Sequence, residues 1–190
     1  MGLFKIHLLS FFVISIIGTL THFVYDVSNN VYLVGLFCPV NESVFEHLKM
    51  VLYPMLLTMT YEHIVFKKNS YYILAKLVSI ILAILVIIVI FYTYTIVIDE
   101  SVVIDVMTYY LAIFIGQMIS YNILKSKDEN KEQEKLKSIE KTNKIKLSNK
   151  YSKYILMAIV IIFIFFTFYP PRLGIFKDNH TNTYGILQVK

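Results

Sequence analysis

From Leu77 to Ile98 the chain carries no charged side chain. That run exceeds the about 20 apolar residues a helix needs to cross the hydrocarbon core of a bilayer. A helix apolar on every face is covered by lipid or by other helices, never by water, so this stretch commits the chain to a membrane. Four further stretches repeat the pattern less purely. The expectation is an all-α polytopic integral membrane protein forming one membrane domain over 1–190, with five transmembrane helices at about 4–27, 48–66, 71–98, 102–124 and 151–169. A hydrophobic content of 57% agrees. The first span has Lys5 at its start and no small-residue cleavage pattern after it, so it reads as an uncleaved signal anchor.

The net charge of +5 is no nucleic-acid footprint, because the lysines collect at the ends of the hydrophobic runs. Lys67 and Lys68 follow the second span, and the cluster from Lys125 to Lys153 separates the fourth from the fifth. By the positive-inside rule these face the cytoplasm. The amino terminus is then inside and the carboxyl terminus outside a cell membrane, with 125–150 a charged cytoplasmic loop, helical or disordered, and 170–190 an extracytoplasmic tail. Within the spans, Pro54 should release the carbonyl of Met50, and Gly116 with Ser120 forms a small-xxx-small pair suited to close helix contact. Glu62-His63 and His7 lie near the inner ends and read as interfacial anchors. Cys38, the lone cysteine, has no partner for an internal disulfide and reads as a packing residue.

The densest group of ionisable side chains lies in Cys38–Lys49. Asn41 is a favourable helix N-cap, so a helix is expected from Asn41 to Phe66, with Glu42 in its first turn. On such a helix Glu42, Glu46 and Lys49 share one stripe, and Ser43 and His47 the next. His22 and Asp26 are four residues apart near the end of the first span. The five-span topology gathers them with the Asn41–Lys49 group, Asp99, Glu100, Asp105 and His180 at the outer face. Histidines and carboxylates together suit a divalent metal, zinc above others.

The preferred ligand set is His22, Asp26, Glu46, His47 and His180, with Glu42 as general base of a metal-dependent hydrolase at the membrane interface. Lys49, Arg172, Asn41 and Tyr184 would engage a lipid or peptide-like substrate. Ser43 and His47 offer a second chemistry, a nucleophile beside a base with Asp26 or Glu46 orienting it. The spacing is similar to that in zinc-binding ceramidase-like membrane hydrolases, an analogy of chemistry only. A third reading is structural: Glu46 pairs with Lys49, His22 with Asp26, and Glu42 serves the helix terminus. On it the chain is a non-catalytic component that transports or binds a ligand or partner. Oligomeric state is not legible.

The motif Pro39-Val40-Asn41-Glu42-Ser43-Val44-Phe45-Glu46-His47-Leu48-Lys49 resembles the signature PVNESVWEHLK of an uncharacterised family of small prokaryotic membrane proteins. Phe45 stands where that signature has tryptophan. Phe176-Lys177-Asp178 followed by Tyr184-Gly185-Ile186, and the His22 to Asp26 region, are similar to the same family. The resemblance implies a five-span or similar membrane protein and brings no activity with it.

Overall fold

A computed structural model describes residues 2–66, 69, 71–133 and 138–188, with side chains of these outside 127–147. Lys67 and Lys68, which enter the charge reading, lie outside the described residues. Among the described residues the chain is all-α, without a strand. In order come α1 (Leu3–Val27), two short helices α2 (Tyr32–Gly35) and α3 (Val44–His47), then α4 (Lys49–Phe66), α5 (Tyr72–Tyr94), α6 (Val102–Gln133) and α7 (Ser138–Phe168), followed by a 3-10 turn, Gly174–Phe176.

The long helices alternate in direction. Ser10 of α1 meets Glu62 of α4, Ser79 of α5 donates to the Gly116 carbonyl of α6 at 2.7 Å, and Phe45 of α3 stacks on Phe163 of α7. The end of α1, the start of α4, the end of α5, the start of α6 and the end of α7 therefore share one end of the bundle. Small residues set the closest approaches. A Cβ at Gly18 would overlap the Tyr109 hydroxyl and the Met50 carbonyl oxygen, the acceptor that Pro54, lacking an N–H, leaves without its helical donor. Glycine lets α1 close on both α4 and α6 at that point.

Among the described residues four helices are long and apolar enough to cross a membrane: Leu3–Val27, Tyr72–Tyr94, Val102–Ser126 and Ser148–Phe168. The fifth expected span, α4, is not among them. The physical reason is visible in its packing: Lys49, Thr58 and Glu62 are fully buried against protein, so this helix meets neighbours that satisfy polar groups and has less need of an apolar surface. The other four expose Phe12, Ile16, Val89, Phe114, Ile161 and similar side chains outward.

Several local expectations are corrected. The helix does not begin at Asn41; Ser43 is the N-cap, accepting from the Glu46 amide at 3.4 Å, and Asn41 Oδ1 accepts from the Ser43 amide instead. Glu62 and His7 are not interfacial. Glu62 is buried against Lys76, and His7 is buried with its Nε2 3.1 Å from Ser120 Oγ, while His63 alone of that pair stays exposed. Helix α5 ends at Tyr94, short of 98, while of the two forms expected for 125–150 its described residues take the helical one, as the continuations of α6 and α7.

Candidate metal centre

The site is assembled by a change of conformation inside the Cys38–Lys49 motif. Because the cap is Ser43, Glu42 lies before the helix, and it no longer shares a stripe with Glu46 and Lys49. The two acids part company. Glu46 turns inward, where it is 1% exposed and accepts from Lys49 Nζ at 2.6 Å, the Val40 amide at 3.1 Å and Thr167 Oγ1 at 3.3 Å. Burial pushes its carboxyl up, against the pull of Lys49. Glu42 stays exposed and meets His47 Nε2 at 3.3 Å.

His22, one turn beyond Gly18, joins this pair, its ring 5.1 Å from that of His47 between centroids. One ligand atom from each of His22, Glu42 and His47 falls within 4.8 Å of the others. His47 is aimed by its other ring nitrogen, Nδ1, which lies 3.0 Å from the Ser43 carbonyl oxygen. Nδ1 of His22 is buried without a partner. The cluster opens into a cavity of about 340 Å³ whose lining also includes the acids Glu100 and Asp105, His180, and the hydroxyls of Thr19 and Tyr110, and whose walls include Phe23, Met50, Phe91 and Tyr109. Asp105 is itself fixed, accepting from the Tyr94 hydroxyl at 2.6 Å.

Of the residues proposed from sequence as ligands, His22 and His47 converge, and His180 reaches the same cavity. Asp26 is exposed and outside the cluster, and Glu46 is committed to Lys49. Glu42, expected as a base, stands among the ligand atoms. Ser43 and His47 do not form a nucleophile and base: the serine hydroxyl caps α3, and the histidine addresses the serine's backbone oxygen. None of Lys49, Arg172, Asn41 and Tyr184 lines the cavity. Lys49 is wholly buried, Arg172 is exposed, Asn41 donates to the Gly185 carbonyl at 3.4 Å, and Tyr184 pairs with Lys177 in an isolated antiparallel bridge.

The tail brings His180 to the cavity and is anchored beside it. Gly185, at φ +60°, turns the chain so that the Ile186 amide donates to the Thr167 carbonyl at 2.8 Å, where a Cβ would strike that carbonyl and Pro170. Phe176 packs on Phe45 at 4.5 Å, which gives the aromatic at position 45 its role. Asp178, fixed by the amides of His180 and Thr181 and the Thr181 hydroxyl, is held below the usual carboxylate range despite burial.

The Glu42–His47 pair has a pH signature. Burial pulls the His47 imidazole down, but the Glu42 carboxylate and the Ser43 carbonyl outweigh it and hold it above 6.5. The same contact with His47 holds Glu42 below 4.5, against burial. For the raised base, stabilisation is complete below 6.5 and is lost as pH rises through the higher folded value; for the lowered acid it is complete above 4.5 and is lost as pH falls through the lower one. In metal-free protein the difference in thermal stability between wild type and Glu42→Gln should therefore be greatest between pH 4.5 and 6.5 and shrink on both sides. Its size should be about 0.5–1 kcal/mol, since the pair is partly exposed. A difference that does not vary with pH in thermal melts would rule out the ion pair.

A sequence model of a family of unknown function (DUF6512) matches residues 3–186. No curated protein and no solved structure matches the chain.

Proposed function

The chain belongs to the family of unknown function DUF6512, and we propose that it is a cell-membrane protein whose His22, Glu42 and His47 hold a divalent cation, zinc by ligand type, for hydrolysis at the membrane interface. The observation that carries this reading is the convergence of three ligand atoms within 4.8 Å at the edge of a cavity. Two imidazoles and one carboxylate are a donor set of catalytic rather than structural zinc. The donors also fit by their own needs: the buried Nδ1 of His22 lacks a partner, and the Ser43 carbonyl fixes the orientation of the His47 ring, the kind of support that metal-binding histidines receive.

A cation there supplies Lewis-acid polarisation of a carbonyl or phosphoryl oxygen. Glu100, Asp105 and His180 line the same cavity and are the groups placed to take or return a proton. Asp105, held by Tyr94, is the best oriented of them. With α4 as the fifth span, and Lys125, Lys150 and Lys153 at the cytoplasmic ends of α6 and α7, the site faces outward, amino terminus in and carboxyl terminus out.

The test is metal content by elemental mass spectrometry on detergent-purified protein equilibrated with zinc and desalted. Wild type should retain near-stoichiometric zinc. His22→Ala and His47→Ala should each weaken zinc more than about 100-fold, because even the partners of ligands are worth 10–100-fold. Folded wild type that retains no zinc would end the metal reading. The competing reading, a non-catalytic component that binds a ligand or partner, is favoured by the 3.3 Å contact of Glu42 with His47, which satisfies both without an ion. On that reading Glu42→Gln leaves function intact; on ours it lowers zinc retention and hydrolysis together.

A further inference from the structure

A second hollow, of about 370 Å³, lies beside the site cavity, lined on α1 by Phe12, Ser15, Ile16, Thr19 and Leu20 and on α6 by Tyr110. Thr19 and Tyr110 line both hollows, and their hydroxyls stand 3.3 Å apart. The groove and the cavity thus meet at one hydrogen-bonded pair. The groove wall is lipid-facing: Phe12, Ile16 and Leu20 are each more than half exposed on a helix long and apolar enough to cross a membrane. Besides the Thr19–Tyr110 pair, a third hydroxyl belongs to its lining. Ser15 is 6% exposed, and its hydroxyl has no partner. A buried hydroxyl in apolar surroundings costs free energy until an acceptor reaches it.

We propose that this groove takes one acyl chain of a bilayer lipid whose polar head lies in the His22/Glu42/His47 cavity, so that the substrate class of the site is an acyl-bearing lipid entering sideways from the membrane. The inference rests on the preceding reading in taking that cavity as the reactive site. The occupant follows from the lining. A peptide laid along an apolar groove on membrane-spanning helices would leave its amides without partners, a cost of several kcal/mol for each such group. An acyl chain has none to satisfy, and Ser15, which lines the groove, can offer its unpartnered hydroxyl to an ester carbonyl on the way to the cavity once the side chain turns outward from its buried position.

The chain contains no tryptophan, so a tryptophan placed in the groove both fills it and reports folding by its own fluorescence. Wild type, Ile16→Trp, Leu20→Trp and Ile161→Trp, the last on the exposed face of α7, are reconstituted in vesicles of phosphatidylcholine and phosphatidylglycerol. A trace of phosphatidylglycerol carrying a diazirine in one acyl chain is included. After photolysis, labelled peptides are mapped by mass spectrometry, and zinc is measured on the same samples. In wild type, label should concentrate on residues 12–20 and the cavity wall over the exposed face of α7, and both groove variants should reduce it several-fold while Ile161→Trp does not. Label no denser in the groove than on α7, or undiminished in both groove variants, overturns the proposal. Zinc retained with the groove unlabelled sinks the acyl groove alone; labelled groove without zinc sinks the metal reading and leaves the lipid site standing.

Discussion

Lys76→Met should lower stability by about 3–5 kcal/mol, the cost of stranding a buried charge by removing its partner, and Glu62→Gln combined with Lys76→Met should recover most of that loss. Lys76 and Glu62 are both fully buried, with Nζ 2.6 Å from one carboxylate oxygen and 2.8 Å from the other. Glu62 also accepts from the Ser10 hydroxyl and from the Tyr72 hydroxyl at 3.1 Å, and Lys76 donates to Gln117 Oε1 at 3.4 Å. One carboxylate and one ammonium therefore tie together α1, α4, α5 and α6. Take away the ammonium, and a carboxylate stays inside the bundle with only neutral donors. Neutralising both ends removes the charge along with its partner, so the double variant should lie well above the single one. Chemical denaturation in detergent micelles reads the difference. Equal loss in the single and double variants would mean that packing volume, not charge, is what this position contributes.

That network shows what the sequence made legible and what it did not. Each of the four apolar spans is announced by composition alone, since lipid demands an apolar surface whatever the packing inside. Glu62 and Lys76 were harder, because a lone charge near the end of a span fits an interfacial anchor equally well. A signal was present: Glu62 and Lys76 stand seven positions either side of Asn69 in the connection between α4 and α5. In an antiparallel pair joined by a tight turn, residues equidistant from the turn lie at the same height. Two opposite charges so placed are natural partners.

The site was legible at the level of which end of the bundle it occupies. Grouping residues by the alternation of spans collects His22, Asp26, the Asn41–Lys49 group, Asp99, Glu100, Asp105 and His180, and of these His22, Glu42, His47, Glu100, Asp105 and His180 line one cavity while Asp26, Glu46, Lys49 and Asp99 do not. The three histidines of the expected ligand set are among those that line it, whereas the roles given to Glu42 and Glu46 rested on helical register. With the cap two residues later than expected, at Ser43, Glu42 leaves the stripe it was assigned to, and Glu46 points into the protein. Asn41, Ser43, Glu46 and Lys49 then prove to build the motif's own turn and its anchorage, and Glu42 and His47 are left facing the cavity.

The same division of labour makes Lys49 the position where stability and the site can be separated. Its ammonium is wholly buried and donates to the Gly35 carbonyl at 2.7 Å and the Cys38 carbonyl at 3.4 Å besides Glu46. It thereby fastens the segment that runs from α2 to Glu42. Lys49→Met should cost about 3–5 kcal/mol, again by leaving a buried carboxylate unpaired. Adding Glu46→Gln should restore much of the stability, because no net charge then remains inside. It should not restore zinc retention. The Gly35 and Cys38 carbonyls still lack their donor, and the segment that positions Glu42 is released at that end, whereas His22 and His47 keep their own supports on α1 and α3. A double variant that regains stability yet holds zinc more weakly than wild type would identify Lys49 as a positioning residue for Glu42. Full recovery of both would mean that the Glu42 segment is held by the tail, through Asn41 and Gly185, and that the buried pair serves the fold alone.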